Sequence, residues 1–314
     1  MNKLKPQALK KGDTIALISP ASLPRDLTRI DKAALYFENK GYKVKIGKNT
    51  TKLYGYLAGT DSERLSDLND AFSDNSVKAI ICLRGGYGAG RLINLINFDL
   101  IKDNPKIFTG YSDITTLQMA FLSKTGMISF AGPMAAVDLY ENPDPYTETL
   151  FWDLITGAKE ITEVPLPEGV KLGGNRQGSS SGELIGGNLA LFTSLLGSPY
   201  LPKPEGKILF FEDVSEPPYR IDRMLNSLLL SGYFEKCNGV IIGQFTDGET
   251  NNPYNPTLSQ EEVFSHYLSK IKCPVITNFP HGHVKNIATL PFGLEVTIDS
   301  NNCKVFFNER AVTI

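Results

Sequence analysis

Histidine is scarce in this sequence, with 3 copies in 314 residues, so a reaction that needs an imidazole base has very few candidates. Cysteine is also rare. The four copies, Cys82, Cys237, Cys273 and Cys303, are widely separated and show neither a CxxC motif nor the Cys/His spacing of a metal site. The pattern predicts reduced core thiols of a cytoplasmic protein. Nothing in the sequence requires a metal or an organic cofactor.

Neither charge nor hydropathy points to nucleic acid or to a membrane. The formal net charge is −2 and no basic block is present, which argues against an electrostatic nucleic-acid binder. No apolar run approaches the roughly 20 residues that span a bilayer. Residues 1–6 carry positive charge with no apolar segment behind them, so a secretory signal is not expected. We therefore expect a cytoplasmic protein.

The first half of the sequence alternates strand and helix signals. Apolar runs typical of buried strands occupy residues 14–19, 77–83 and 105–109, and residues 42–46 alternate as a strand. Helical patterns lie between and after them, at residues 33–39, 61–72, 91–96 and 114–122. Asp61 is the expected N-cap of the second helix. Repeated β-α units predict an α/β fold with a mostly parallel sheet, whose ligands bind beyond the carboxyl ends of the strands.

The composition changes between residues 163 and 182. Residues 166–182 are interpreted as a linker because glycine, serine and polar residues dominate the later part of this segment. The predicted domains are residues 1–165 and residues 183–314. Strands are also expected in the second domain, and its last two, at residues 294–298 and 304–307, are predicted to form a hairpin.

Ser112 stands in the segment Gly110-Tyr111-Ser112-Asp113, between an apolar strand and a helical pattern. A serine at a sharp strand-to-helix turn, with glycine two residues before it, is typical of the nucleophile of an α/β hydrolase. The match to G-x-S-x-G is incomplete, because Ile114 occupies the position of the second glycine. A helix N-cap is the alternative role of this serine, and the motif alone does not exclude it.

A serine nucleophile needs a base, which is usually a histidine oriented by a carboxylate. His283 and His281 lie in a glycine-containing turn after a predicted strand, and Glu212 follows the apolar run of residues 208–211. An acid at the end of a buried strand can reach a cleft and orient an imidazole. The alternatives are a packed or surface histidine and a solvated acidic loop. His266, within a predicted helix, is interpreted as a solvated or partly packed side chain.

Gly85 and Gly86 follow the predicted strand of residues 77–83. Without a Cβ, their backbone N–H groups can point into a cleft and bind a developing oxyanion. A phosphate cradle is a rival interpretation, but residues 84–90 fit neither a P-loop nor a G-x-G-x-x-G motif after the first strand. A plain tight turn is the remaining alternative.

Together these segments resemble the serine-peptidase family of L,D-carboxypeptidases, which includes murein tetrapeptide carboxypeptidases. The matching segments follow the family's order along nearly the whole chain, at residues 12–22, 56–61 with Arg64, 78–88, 110–113, 182–189, 211–214, 219–225, 282–283 and 289–293. The resemblance implies a Ser-His-Glu triad with Ser112 as nucleophile, His283 as base and Glu212 as the group that orients the imidazole. His283 is preferred to His281 because the family's histidine directly follows the glycine. The implied reaction releases the terminal D-alanine of a murein tetrapeptide during peptidoglycan recycling.

The resemblance has further implications for the site and the fold. Backbone amides of Gly85 or Gly86 and of Asp113 would hold the oxyanion, and a bidentate arginine suits the free carboxylate of the substrate. Arg84 and Arg220 are the candidates for that arginine, although an ion-paired helix start is the alternative role of Arg220. The N-terminal domain would resemble class I glutamine amidotransferases, the smaller C-terminal domain would be mixed α/β, and the protein would be a homodimer.

Two rival functions stay open. A branch of the same fold resembles microcin C self-immunity peptidases, which cut an amide linking a peptidyl part to a modified nucleotide and usually stack an aromatic residue on the adenine. The one tryptophan here, Trp152, lies in a helix-like run and is interpreted as core. The other rival is a non-catalytic binding protein that uses the same cleft; the presence of all three triad residue types argues against it.

Overall fold

The structure is a computed structural model that describes residues 3–248 and 256–314. The chain divides into two compact units, each assembled from segments that are far apart in the sequence. Unit 1 contains Met1–Ile161, Ala288–Gly293 and Arg310–Ile314, and unit 2 contains Thr162–Ile287 and Leu294–Glu309. Both units are α/β.

The described strands, in chain order, are β1 (Thr14–Ile18), β2 (Lys43–Ile46), β3 (Val77–Cys82), β4 (Ile107–Gly110), β5 (Ser129–Ala131), β6 (Gly173–Asn175), β7 (Ser179–Asn188), β8 (Ile208–Val214), β9 (Gly239–Thr246), β10 (Val275–Thr277), β11 (Leu290–Phe292), β12 (Glu295–Asp299) and β13 (Lys304–Phe307). The described α-helices are α1 (Thr28–Asn39), α2 (Asp61–Ser73), α3 (Phe98–Asp103), α4 (Thr115–Thr125), α5 (Pro145–Thr156), α6 (Leu189–Ser194), α7 (Pro218–Leu230), α8 (Tyr233–Lys236) and α9 (Gln260–Leu268). Short 3₁₀ helices occupy Ala89–Leu95, where the sequence predicted an α-helix, and Ser112–Ile114.

The sheet of unit 1 has the strand order β11-β5-β4-β3-β1-β2. All neighbours pair in parallel except β11, which is antiparallel to β5. Phe121 of α4 packs edge-to-face on Phe108 of β4 and on Phe72 of α2, with ring centroids 5.0 Å and 5.7 Å apart. These buried rings join strand to helices, as expected when apolar strands are covered by helices. The predicted parallel α/β sheet is confirmed.

The sheet of unit 2 has the order β13-β12-β7-β8-β9-β10-β6. Its centre, from β7 to β10, is parallel, and antiparallel strands lie at both edges. Phe210 and Phe211 of β8 are fully buried and contact Phe279 and Phe192, respectively. The mixed α/β fold of this half is as expected, and β12 and β13 form the predicted hairpin.

The segment of residues 166–182, interpreted from its composition as a linker, contains β6 and the first part of β7. Its glycines occur where the backbone is crowded. A Cβ on Gly174 would lie 2.1 Å from the Ser300 carbonyl oxygen, and one on Gly182 would lie 2.3 Å from that of Gly206. Here glycine permits close approach between chain segments. Composition alone does not distinguish this role of glycine from that of a flexible linker.

The N-cap of helix α2 lies one residue before the predicted cap. Thr60 is the N-cap: its hydroxyl accepts a hydrogen bond from the Glu63 N–H, and the Glu63 carboxylate accepts one from the Thr60 N–H, which makes a capping box. The prediction that Asp61 caps the helix is therefore wrong. Asp61 instead pairs with the guanidinium groups of Arg64 and Arg91.

Candidate active site

Ser112 lies in a strained turn directly after β4. Its φ angle is +62°, a left-handed value that is uncommon for a residue other than glycine. A Cβ on Gly110 would lie 3.0 Å from Ile114, so the close packing of Ile114 accounts for glycine at position 110. The elbow is tight although its second glycine is replaced by buried Ile114.

The alternative role of Ser112 as a helix N-cap is not seen. Neither the 3₁₀ helix Ser112–Ile114 nor α4 has a side-chain cap hydrogen bond at its start. The strained backbone of Ser112 therefore does not serve to cap a helix. Strained residues of this kind cluster at active sites.

The turn that contains Gly85 and Gly86 contacts Ser112 within unit 1. A Cβ on Gly85 would lie 3.1 Å from the Cβ and 3.3 Å from the Oγ of Ser112. Gly86 has a φ of +103°, and a Cβ there would lie 2.4 Å from the Oγ of Ser22. A Cβ at Gly85 would be tightly packed against Ser112, whereas Gly86 is required both by close approach to Ser22 and by its backbone conformation.

Ser22 also holds this glycine turn in place through hydrogen bonds. Its N–H donates to the carbonyl oxygen of Gly85 at 3.1 Å, and its hydroxyl donates to the carbonyl oxygen of Tyr56 at 2.6 Å and accepts from the Tyr87 N–H at 3.2 Å. The rings of Tyr56 and Tyr87 are exposed and meet edge-to-face, with centroids 5.4 Å apart. Sequence reasoning did not single out Ser22, although it belongs to one of the segments that matched the family.

Asp113 contributes its side chain as well as its backbone. The buried carboxylate accepts a hydrogen bond from the Ala89 N–H at 2.7 Å and another from the Gly88 N–H. Burial raises the pKa of Asp113 to about 6, against the lowering effect of these hydrogen bonds and of Arg64. The residue after Ser112 therefore holds the end of the glycine turn in place. The sequence had suggested only its amide as functional.

Arg64 organises the same region from α2. Its guanidinium is fully buried and donates to the carbonyl oxygens of Pro20 and of Gly88, the latter at 2.8 Å, and to the carboxylate of Asp61. These bonds connect the segment after β1, the glycine turn and α2. A planar guanidinium with several donors in fixed directions suits this role better than a lysine ammonium.

Glu212 and His283 form a hydrogen-bonded pair within unit 2. Glu212 of β8 is 1% exposed, and its Oε2 lies 2.9 Å from Nδ1 of His283, whose side chain is 23% exposed. Gly282 has a φ of +146°, and a Cβ there would lie 2.9 Å from the Gln244 carbonyl oxygen, so glycine allows the chain to pass close to β9 before His283. A buried carboxylate bonded to Nδ1 fixes the orientation of the ring and leaves Nε2 for proton transfer.

The neighbouring residues His281 and Asp213 have other contacts. His281 is fully buried and packs edge-to-face on Phe210, with ring centroids 5.0 Å apart. The carboxylate of Asp213 accepts from the side chain of Asn188 at 2.8 Å and from the Ala190 N–H at 2.9 Å, and burial raises its pKa to about 6. The structure thus pairs His283, and not His281, with Glu212.

The two candidate arginines have protein partners. Arg84 is half-buried and donates to the carbonyl oxygen of Leu23 at 3.1 Å. Arg220 is exposed near the start of α7, 3.4 Å from the carboxylate of Glu216, and its guanidinium lies near the ring of Tyr219. The contacts of Arg220 are those of the ion-paired helix start that was its alternative interpretation.

Within residues 3–248 and 256–314 no three His, Cys, Asp or Glu side chains are grouped so that they could bind a metal ion. In the same part of the chain no helix has the length and apolar character to span a membrane.

The predicted site residues form two groups. Ser112 lies with the glycine turn in unit 1, and Glu212 lies with His283 in unit 2.

Comparison with known proteins identifies the family. Residues 15–132 match the LD-carboxypeptidase N-terminal domain, and residues 181–298 match the LD-carboxypeptidase C-terminal domain. The chain belongs to the LD-carboxypeptidase family, and this membership supports a carboxypeptidase activity. The resemblance inferred from the sequence is confirmed, whereas the likeness of unit 1 to glutamine amidotransferases stays a prediction.

Individual relatives align over nearly their whole length. The chain is 40% identical over 302 residues to the probable murein peptide carboxypeptidase of Bacillus subtilis (strain 168), covering 94% of this chain and 92% of the relative. The solved structure of the microcin C7 self-immunity protein MccF in its wild-type apo state matches with a TM-score of 0.90 at 28% identity, covering 99% of this chain and 100% of that one; MccF is known from Escherichia coli. The muramoyltetrapeptide carboxypeptidase of Oxalobacter formigenes matches with a TM-score of 0.82 at 30% identity, covering 93% and 97%.

Proposed function

We propose that this protein is a serine carboxypeptidase that hydrolyses an L,D-peptide bond and releases the terminal D-alanine of murein tetrapeptides during peptidoglycan recycling. The observation that carries the proposal is the strained turn of Ser112, with the backbone of Gly85 against its side chain. Membership of the LD-carboxypeptidase family and a relative named as a murein peptide carboxypeptidase support the substrate class.

In the proposed reaction the Glu212 carboxylate accepts the hydrogen bond from His283 Nδ1, so that Nε2 is the basic nitrogen. Nε2 takes the Ser112 proton while the serine oxygen attacks the carbonyl carbon of the L-configured residue. The C–N bond then breaks, the imidazolium protonates the amine, and D-alanine leaves. Water attacks the resulting ester in the same manner and releases the shortened peptide.

The backbone amides of Gly85 or Gly86 and of Asp113 are proposed to bind the oxyanion. The contact of Gly85 with Ser112 and the hydrogen bonds that fix the turn support this role, because a rigid donor needs no reorganisation when charge develops. Arg84 and Arg220 are proposed to bind the carboxylate of the substrate. Arg84 is the better supported, because it directly precedes the glycine turn.

Release of D-alanine from a synthetic murein tetrapeptide tests the proposal directly. Ser112→Ala should lower turnover by about 10³-fold or more, since the members of a triad act as one unit. Ser73→Ala, at an exposed serine on α2, is the matched control and should keep full activity. Near-normal turnover by a folded Ser112→Ala protein would falsify the mechanism.

A fluorophosphonate probe separates an enzyme from a binding protein. It should label Ser112 in the native protein, and labelling should be slower by about 10²-fold or more in His283→Ala, which lacks the base. His266→Ala removes an exposed imidazole on α9 and should label at the native rate. Equal labelling of both histidine variants would remove His283 from the mechanism.

A microcin-immunity activity is the second candidate function, because the MccF structure matches nearly the whole chain. Against it, the indole of Trp152 stacks on Tyr42 with centroids 5.1 Å apart and donates from Nε1 to the Tyr36 hydroxyl at 2.8 Å. Trp152, the single tryptophan of the chain, is half-buried in unit 1 and not fully in the core as the sequence predicted, and these contacts argue against a role in stacking on adenine. Parallel assays on an L,D-tetrapeptide and on an aminoacyl sulfamoyl-adenylate distinguish the two activities.

We further propose a cytoplasmic homodimer that needs no metal or organic cofactor. Light scattering coupled to gel filtration measures the mass of the assembly, and fractionation of cells measures its location. Activity that survives dialysis against a chelator is the expected result for a triad mechanism, and loss of activity restored by one metal would contradict it.

A further inference from the structure

Two thiols that are 36 residues apart in the sequence meet in unit 2. Cys237 follows α8 and precedes β9, and Cys273 precedes β10. Strands β9 and β10 are parallel neighbours in which Val240 pairs with Val275, and the Val240 N–H donates to the Pro274 carbonyl oxygen at 3.1 Å. This pairing brings the two Sγ atoms to 3.6 Å from each other.

The thiols differ in exposure and in acidity. Cys237 is buried, whereas Cys273 is half-exposed. The hydrogen bond between them raises the pKa of Cys237, as does burial, and lowers the pKa of Cys273. Cys273, the more accessible of the two thiols, is therefore also the one that deprotonates more readily to the reactive thiolate.

We propose that Cys273 and Cys237 form an oxidation site that reacts with hydrogen peroxide and closes to a disulfide within the chain. The Cys273 thiolate attacks one peroxide oxygen, the O–O bond breaks, and hydroxide leaves and is protonated to water. Cys273 is then a sulfenic acid. The sulfur of Cys237 attacks that sulfur, the S–O bond breaks, a second water leaves, and the S–S bond forms. Overall the two thiols lose two electrons and two protons to the peroxide, which is reduced to water.

The geometry suits both steps. Disulfide sulfurs are about 2.0 Å apart, so the two sulfurs, now 3.6 Å apart, need to approach by about 1.6 Å. The resolving thiol already contacts the attacking one, and this arrangement is typical of cysteines that oxidise reversibly. The other two cysteines lie elsewhere: Cys82 is fully buried in β3, and the Cys303 thiol donates to the Ser300 carbonyl oxygen at 3.8 Å.

The site is separate from the proposed catalytic pair. Cys237 and Cys273 lie before the first residues of β9 and β10, whereas Glu212 is near the carboxyl end of β8 in the same sheet. The inference therefore does not rest on the proposed function. It holds whatever substrate the enzyme has.

Peptide mapping of the reduced full-length protein after treatment with hydrogen peroxide tests the inference. We expect a peptide pair linked through Cys237 and Cys273, a mass loss of about 2 Da per chain and full reversal by dithiothreitol. In Cys237→Ser the reaction should stop at a Cys273 sulfenic acid, which dimedone traps. Cys303→Ser removes a half-exposed thiol outside the pair and should form the linked peptides at the native rate.

The linked peptides are measured on the native chain, so the result does not depend on the folding of any variant. Oxidation of Cys303 as fast as that of Cys273, linkage only between chains, or no linked pair after peroxide treatment would each overturn the inference. Release of D-alanine by the reduced Cys273→Ser protein should equal that of the native protein. The linked peptides test this site and D-alanine release tests the proposed function, so a failure of one can be distinguished from a failure of the other.

Discussion

The Asp113 carboxylate should make the stability of unit 1 depend on pH in a defined window. Asp113 is 1% exposed, and burial raises its pKa from an ordinary value of 3.8 to about 6. The folded protein therefore holds this proton more tightly than the unfolded chain does. Stability falls as the pH rises from about 4 to about 6, and the penalty is complete above that window.

The size of the effect follows from the two pKa values. A difference of about two pH units corresponds to about 3 kcal/mol of unfolding free energy. Asp113→Asn keeps the shape and an acceptor for the Ala89 N–H but does not titrate. The native protein should therefore lose on the order of 3 kcal/mol relative to Asp113→Asn between pH 4 and pH 7.

The assay is urea unfolding at several pH values, followed by tryptophan fluorescence. Trp152 is the single tryptophan and stacks on Tyr42 in unit 1, so its emission reports on the unit that contains Asp113. Asp103→Asn makes the same chemical change at an exposed position and corrects for general effects of charge. If the native and Asp113→Asn curves stay parallel within about 1 kcal/mol from pH 4 to pH 7, the carboxylate does not titrate as argued.

Three further substitutions test the geometry of the site. Glu212→Gln keeps a hydrogen-bond acceptor near His283 but removes its charge, and should lower kcat for D-alanine release by about 10² to 10⁴-fold with little change in KM. Arg64→Met leaves the Gly88 carbonyl and the Asp61 carboxylate without their buried donor, and should cost about 3–5 kcal/mol in Trp152 fluorescence unfolding. Gly86→Ala places a Cβ 2.4 Å from Ser22 Oγ at a φ of +103°, and should lower kcat by at least about 10-fold in a protein with native circular dichroism.

Each of these substitutions has a matched control in the chain. Glu235→Gln and Arg91→Met make the same changes at exposed positions, and both should be nearly neutral. Gly12→Ala keeps a similar φ of +89° but meets no atom within 4 Å, so it separates backbone strain from crowding at the turn. Equal effects of Gly86→Ala and Gly12→Ala on kcat would mean that crowding against Ser22 does not contribute to the loss of activity in Gly86→Ala.

Strands β1 to β4 of unit 1 and the helices α1, α2 and α4 could be predicted from the sequence, because apolar or alternating runs mark the strands and helical periodicity marks the helices. The short elements α3, β5 and β11 were not predicted. The turn at Ser112 was predicted by the same reasoning. The pairing of Glu212 with His283 was expected from a family resemblance, since 71 residues separate them and no local pattern joins them. Their contact of 2.9 Å within unit 2 agrees with that expectation.

What the sequence did not reveal depends on packing between distant segments. The carboxylate of Asp113 and the guanidinium of Arg64 act on the glycine turn through contacts across 24 residues of chain. The meeting of Cys237 with Cys273 requires the strand order of the sheet, which local patterns do not supply. Residues 166–182 are interpreted as a linker because composition does not show that other chain segments approach their glycines closely.

The position of β11 has a consequence for biosynthesis. Leu290 pairs with Ala131 at the edge of the sheet in unit 1. In the chain, however, the segment Thr162–Ile287 of unit 2 lies between these two residues. A ribosome that adds about 5–20 residues per second needs roughly 10–30 s to bridge that gap. During this interval the nascent α/β sheet exposes the unpaired edge of β5, and chaperones that shield strand edges are expected to bind it there. For the same reason an N-terminal fragment ending near residue 165 should be difficult to obtain as a monomer.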